Sequence, residues 1–316
     1  MFTNIMENNI MLNKNKVFIR LNEKEINYIV KKINVKYQNR FTYNKKDSLW
    51  YEFKNHRWFK VYDNSLKLEL YEIFTNEYFK LLNNKALAIN KNNLKTSNEE
   101  MIQENSSSLT NNNIFKNKII KKFVALTKNN IFKNKIIKKI VTLFTDKDFD
   151  KKLDENYNLI GFNNGVYDLE AEKFRDGRFD DYISKTTNVD FYEFNMLNPH
   201  VTEMFKFFEE ILPIKSVRHH MLLSLSSCVS GYNKDEKLRI VTGSGSNGKS
   251  LLFKLVQQAL GEYYVYCSTI SRESLYQLSS EFNCLKSARC ACLQDNGEIS
   301  NVNSIKKLLI MLINQK

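Results

Sequence analysis

The spacing of apolar residues changes several times along the chain, and each change marks an element. In LWYEFKNHRWFKV, residues 49–61, aromatic and apolar positions lie densely on either side of Lys54, Asn55 and His56. That pattern predicts strand, turn, strand. Over residues 65–82 the spacing lengthens to the three-and-four rhythm of a helix with an apolar stripe. Residues 90–113 lose the rhythm and are rich in Asn, Ser and Lys, which predicts a linker or mobile loop. An exact repeat follows: NNIFKNKIIKK occurs at 112–122 and again at 129–139, offset by 17 residues. That offset is not a whole number of turns at about 3.6 residues each. Two short basic helices broken near residues 127–130 are therefore expected, from a local duplication or as a nucleic-acid-binding pair.

Residues 158–174, NLIGFNNGVYDLEAEKF, carry turn residues at Gly161 and at Asn163, Asn164 and Gly165. A short strand at 166–169 and its return from Glu172 predict a hairpin. Asn198 and Pro199 open a helix carrying Met204, Phe205, Phe207 and Phe208, which Pro213 ends. A second helix runs through 222–228 to Gly231. Residues 238–242, LRIVT, alternate as a strand, 251–256 continue as a helix closed near Gly261, and 288–293 form a small apolar strand.

Composition narrows the class. With 316 residues and 42% hydrophobic content, the chain has material for about two domains with real cores. No apolar run approaches the roughly 18 residues of a membrane span, and the polar first residues carry no secretory signal. An intracellular, soluble protein with no membrane partner is expected. The net charge of +13 favours a polyanionic partner, nucleic acid above all, although abundant lysine also follows from an A/T-rich genome. The interleaved aromatic and basic residues of 49–61 suit either base stacking or an ordinary hairpin core. Five cysteines, none in a C-x-x-C pair, read as free thiols. The four histidines show no metal-ligand spacing.

Three of the nine glycines fall within six residues. Gly243, Ser244, Gly245, Ser246, Asn247, Gly248, Lys249 and Ser250 match G-x-x-x-x-G-K-[ST] in full, between a predicted strand and a predicted helix. The spacing has a chemical reason. Glycines let backbone N–H groups wrap phosphate oxygens, and the following helix directs its positive end at the anion. Lys249 would reach the β- and γ-phosphates of ATP, and Ser250 would give its hydroxyl to Mg²⁺. Such a site needs an acid on a neighbouring strand. Asp295, 46 residues after Lys249 and just past the 288–293 strand, is the first candidate for that catalytic and metal-binding role; Glu298 is the second.

These residues resemble a known family. GSGSNGKS, LIGFNNGVYDLE with the following FRDGRFDDYISKTTNVDF, WYEFKNHRW, and SGYNKDEKLRIVTGSGSNGKS are together similar to the superfamily 3 helicase part of primase–helicases from poxviruses, giant viruses, phages and plasmids. The resemblance implies an α/β protein: a mainly helical N-terminal region with small β-hairpins, then a partial P-loop, AAA+-like ATPase core. Four regions follow: 1–89, aromatic and basic; 90–150, linker and duplicated helices; 151–232, a helical pre-helicase domain with the NGVYDL hairpin; and 233–316, the ATPase core. It also implies ATP-driven action on DNA rather than RNA in viral replication, homo-hexameric rings, and, for a virus, the host cytoplasm or a viral factory. In the family, Glu commonly follows Gln where this chain has Gln294 and Asp295. The family's later sensor and arginine-finger residues have no counterpart in the 21 residues after Asp295. A working helicase and a shortened relative that binds nucleotide or DNA without hydrolysis are both compatible with that ending.

Overall fold

A computed structural model describes residues 21–62, 65–96, 125, 127–232, 239–242, 248–267 and 287–293. The fold is mixed α/β, helices with small sheets. It divides into two compact units, Met1–Glu52 with Lys60–Lys147, and Phe53–Phe59 with Asp148–Lys316.

In the first unit, α1 (Glu23–Tyr37) begins at a capping box. Asn22 Oδ1 accepts from Glu25 N at 2.9 Å, and Glu25 Oε2 accepts from Asn22 N at 2.9 Å, so two otherwise orphaned donors are satisfied. Strands β1 (Phe41–Asn44), β2 (Leu49–Lys54) and β3 (Arg57–Val61) follow, with residues Phe53–Phe59 of the β2–β3 hairpin counted in the second unit. Helix α2 spans Ser65–Thr96, well beyond the expected end at Leu82 and into the expected linker. It contains no Gly or Pro to stop it, and Ala86, Leu87 and Ala88 are strong helix formers. Ala125 and Thr127 are helical, Lys128 turns, and Asn129 caps α3 (Asn130–Phe144), which places the break where the repeat predicts it. The first copy, 112–122, lies outside the described residues. Strand β4 (Thr145–Asp146) pairs parallel with β1, and the sheet order is β3-β2-β1-β4. One face of each helix enters the core: Ile26, Ile29, Val30 and Ile33 from α1, Leu66, Leu70, Phe74 and Tyr78 from α2, and Ile136, Ile140 and Phe144 from α3. Trp50 packs against Phe144 with ring centroids 5.7 Å apart.

The second unit starts with the hairpin turn, where Asn55 and His56 both have positive φ, as a tight two-residue connection requires. Trp58 is buried; its indole donates to Phe179 O at 2.8 Å and meets Phe149 edge-on at 5.3 Å. Trp50 and Tyr51 are also buried. Of the two readings of 49–61, the structure supports the hairpin core. Helix α4 (Phe149–Lys152) leads to a three-stranded antiparallel sheet, β5 (Leu159–Phe162), β6 (Gly165–Asp168) and β7 (Lys173–Arg175). Leu159 and Val166 pack with Ile183 on one face. Phe162, Tyr167 and Phe174 gather around Phe191 on the other, with the Phe174 and Phe191 rings stacked at 4.6 Å. Helices α5 (Pro199–Ile211) and α6 (Lys215–Val229) follow, with Asn198 capping α5. Then come α7 (Lys249–Leu260), β8 (Tyr264–Cys267) and β9 (Cys290–Leu293). The described part of the expected ATPase core is therefore one helix on a two-stranded parallel sheet.

Candidate nucleotide-binding site

Leu252, Val256 and Leu260 recur every fourth residue and are the buried stripe of α7. They explain why this apolar run becomes a helix and which way it turns. Gly248 is its N-cap, in the left-handed region at φ 79°, which a side chain rarely tolerates. A Cβ there would also lie 2.7 Å from Ile211 Cγ2 at the end of α5. Lys249 is half-buried and Ser250 is exposed in the first turn. Of the predicted loop, Gly243, Ser244, Gly245, Ser246 and Asn247 lie outside the described residues, as do Asp295 and Glu298.

One expectation is corrected. Residues 239–242 form no strand, and Ile240 is 72% exposed. Apolar alternation makes a strand only where a neighbouring strand takes its hydrogen bonds and a core takes its side chains, and Ile240 finds no such cover. The expected strand at 288–293 is present as β9, which runs parallel to β8 with Tyr264 opposite Cys290. Asp295 follows the last residue of β9 by two positions.

The turn between α7 and β8 is held by residues that the sequence pattern does not single out. Gly261 has φ 52°, and its missing side chain leaves room for the Thr187 backbone. Glu262 N donates to Thr186 O at 2.9 Å, while the Glu262 carboxylate accepts from Thr186 N at 2.9 Å and Arg57 at 2.8 Å. The Tyr263 hydroxyl accepts from Gly161 N at 2.9 Å and donates to Lys185 O at 3.0 Å. Burial pushes that phenol up to about 12.

Arg289, just before β9, is 8% exposed. Its guanidinium donates to Tyr157 O at 2.9 Å, to Leu159 O at 2.8 Å and to Val229 O, and lies 5.0 Å from the Tyr263 ring centroid. Burial pulls its pKa below the usual value, and carbonyl dipoles with a π-face take the place of a carboxylate partner. Arg289 thus ties β9 to the NGVYDL sheet and the end of α6.

The NGVYDL residues are structural. Asn164 donates to Phe191 O at 3.0 Å and accepts from Phe191 N at 2.8 Å. Asp168 accepts from Glu170 N and Ala171 N, each at 3.1 Å, and shapes the β6–β7 turn.

This hairpin, with the elements around it, falls inside a stretch that matches a known family. Residues 30–213, more than half of the chain, match the family described as D5 N terminal like. The chain belongs to that family. The matched residues reach the end of the loop after α5 and stop before the phosphate loop. Among curated relatives, "Putative helicase L207/L206" of Acanthamoeba polyphaga mimivirus is 36% identical over 266 residues, 81% of this chain and 26% of its own length. "Putative helicase 184R" of Invertebrate iridescent virus 6 is 37% identical over 115 residues, 36% of this chain and 12% of its own length. "Putative primase C962R" of African swine fever virus is 26% identical over 172 residues, 52% of this chain and 18% of its own length. The chain thus spans about a quarter of the mimivirus relative and less of the other two. Among the described residues, no helix is long and apolar enough to cross a membrane, and no cluster of three or more metal-ligating side chains occurs.

Proposed function

We propose that residues 243–250 bind ATP with Mg²⁺ and that the chain is the phosphate-loop part of an ATP-dependent DNA helicase of viral replication. The observation that carries this reading is the left-handed Gly248 capping α7, with Lys249 and Ser250 in the first turn. Glycine at the cap lets the backbone come close to phosphate, and the first-turn N–H groups favour an anion. Lys249 would hold the β- and γ-phosphates, and the exposed Ser250 hydroxyl suits a Mg²⁺ ligand. The ion would neutralise charge on the transferring phosphoryl group. Asp295 would position the attacking water or the ion's water shell. Its place in the chain supports that role: parallel strands end on one side of a sheet, and ligands gather there.

Three relatives named as helicases or primases support nucleic-acid work, as does the net charge of +13. DNA in a homo-hexameric ring is the assembly proposed. One observation favours a second reading, nucleotide binding without autonomous hydrolysis. Residues 239–242, which would lead the loop out of the sheet, form no strand.

The test is binding of a fluorescent ATP analogue, then steady-state hydrolysis with and without single-stranded DNA, in wild type and Lys249→Ala. Binding lost in the variant is expected; equal affinity in both proteins defeats the site. DNA-stimulated turnover selects the motor, and Lys249-dependent binding without turnover selects the second reading.

A further inference from the structure

We propose that the apolar seat of α3 against α1 and α2 is a docking site for either copy of the internal repeat, so that residues 112–127 exchange with α3 in it. In the structure the second copy holds the seat. Asn129 caps α3 by accepting from Ile131 N at 2.9 Å and Phe132 N at 3.2 Å. The Phe132 ring lies 6.3 Å from that of Phe74 and 6.0 Å from that of Tyr78. Ile136 is fully buried. Lys135 and Lys139 meet the Glu23 carboxylate at 3.0 and 2.7 Å, and Lys139 also donates to Asn27 Oδ1 at 2.8 Å. Each of these contacts is made by a residue that the first copy duplicates 17 positions earlier: Asn112, Phe115, Lys118, Ile119 and Lys122. The correspondence runs on past the exact repeat. Phe123 stands for the buried Ile140, and Val124 and Leu126 repeat Val141 and Leu143. The departure that matters is Thr127, which stands where Phe144 buries its ring against Trp50. That ring favours the second copy.

The length of the chain permits the exchange. With the first copy seated, residues 97–111 link the end of α2 at Thr96 to Asn112. At about 3.3 Å per residue that link reaches up to roughly 50 Å. The way back along α2 from Thr96 to Tyr78, which Phe132 touches, is about 27 Å at about 1.5 Å per residue. The exchange moves 17 residues from the connection before the helix to the connection before β4, and the entropy of closing a loop changes only slowly with its length. Residues 129–144 leave the core, and Lys133, Lys135, Lys138 and Lys139 leave with them. The repeat is thus a register switch within the first unit, with the second copy as its major state.

The experiment uses the full chain and does not depend on nucleotide binding. A water-soluble carbodiimide joins a carboxylate and an amine in contact as an amide, and mass spectrometry of the digest maps the partners of Glu23. Lys139 and Lys122 are followed by Ile140 and Phe123, so their peptides differ in mass. Wild type should give links from Glu23 to Lys135 and Lys139 as the major products. Ile136→Asp, which expels the second copy, should move them to Lys118 and Lys122, and adding Ile119→Asp should abolish both sets. Thr127→Phe with Phe144→Thr, which hands the favoured ring to the first copy, should shift the links the same way. Stability is the second readout. Because the first copy takes the vacated seat, Ile136→Asp should lower the urea midpoint less in the wild-type background than in Ile119→Asp. Two results overturn the proposal: an Ile136→Asp chain destabilised as much as the double variant, or folded Ile136→Asp protein whose Glu23 links never reach Lys118 or Lys122.

Discussion

Asn164 and Gly165 do different work at one turn. The Asn164 carboxamide ties the turn to the Phe191 backbone, donating to its carbonyl and accepting from its N–H. Gly165 is required for space: a Cβ would lie 2.6 Å from both Arg175 O and Phe174 Cζ. Gly165→Ala should therefore cost about 1–3 kcal/mol, the usual range for overpacking against atoms that cannot retreat. Urea unfolding followed by fluorescence measures it, and an unchanged midpoint would refute the close approach. The need for a turn here is legible in the letters Asn-Asn-Gly. That Asn164 reaches residue 191 is not, because 27 positions separate the partners.

At the scale of elements, α1 and α2 are joined through Glu77, which accepts from Lys32 at 2.6 Å and from Lys80 at 2.9 Å. These hydrogen bonds, Lys32 first, hold the carboxyl down to about 2 against an ordinary 4.5. The folded group binds its proton less readily than the unfolded one. Its contribution is complete above about pH 4.5 and is lost as pH falls toward 2. Glu77→Gln should flatten that part of the acid-stability curve, read as thermal midpoint against pH; parallel curves for the two proteins would count against it. The hairpin tip gives a larger effect. Trp58→Ala removes a buried indole and its hydrogen bond to Phe179 O, at a cost of about 3–5 kcal/mol. A loss well under 1 kcal/mol in chemical denaturation would show that the tip is not part of the core.

At the scale of the molecule, the charge of +13 is a statement about partners rather than about fold. Binding to single-stranded DNA should weaken steeply between about 50 and 200 mM salt, because each neutralised phosphate releases counterion. Fluorescence anisotropy across that range checks it; an affinity independent of salt removes charge as the driving force.

The sequence by itself determined what acts over a few residues: the Asn198 cap, the hairpin turns, the break at the repeat, the apolar run of α7 and the phosphate-loop motif ending at Lys249 and Ser250. It also carried the family, since the NGVYDL letters are a local pattern. Tertiary structure decided where long-range partners arrive. Tyr263, Glu262 and Arg289 hold the helix–strand turn through groups 76 to 205 positions away. It also decided that Trp50, Tyr51 and Trp58 are core, that α2 continues to Thr96, and that residues 239–242 stay out of the strands. The physical reason is common to all of these. Turns and caps satisfy backbone groups from nearby residues, whereas burial and strand pairing depend on which distant surface comes to cover them.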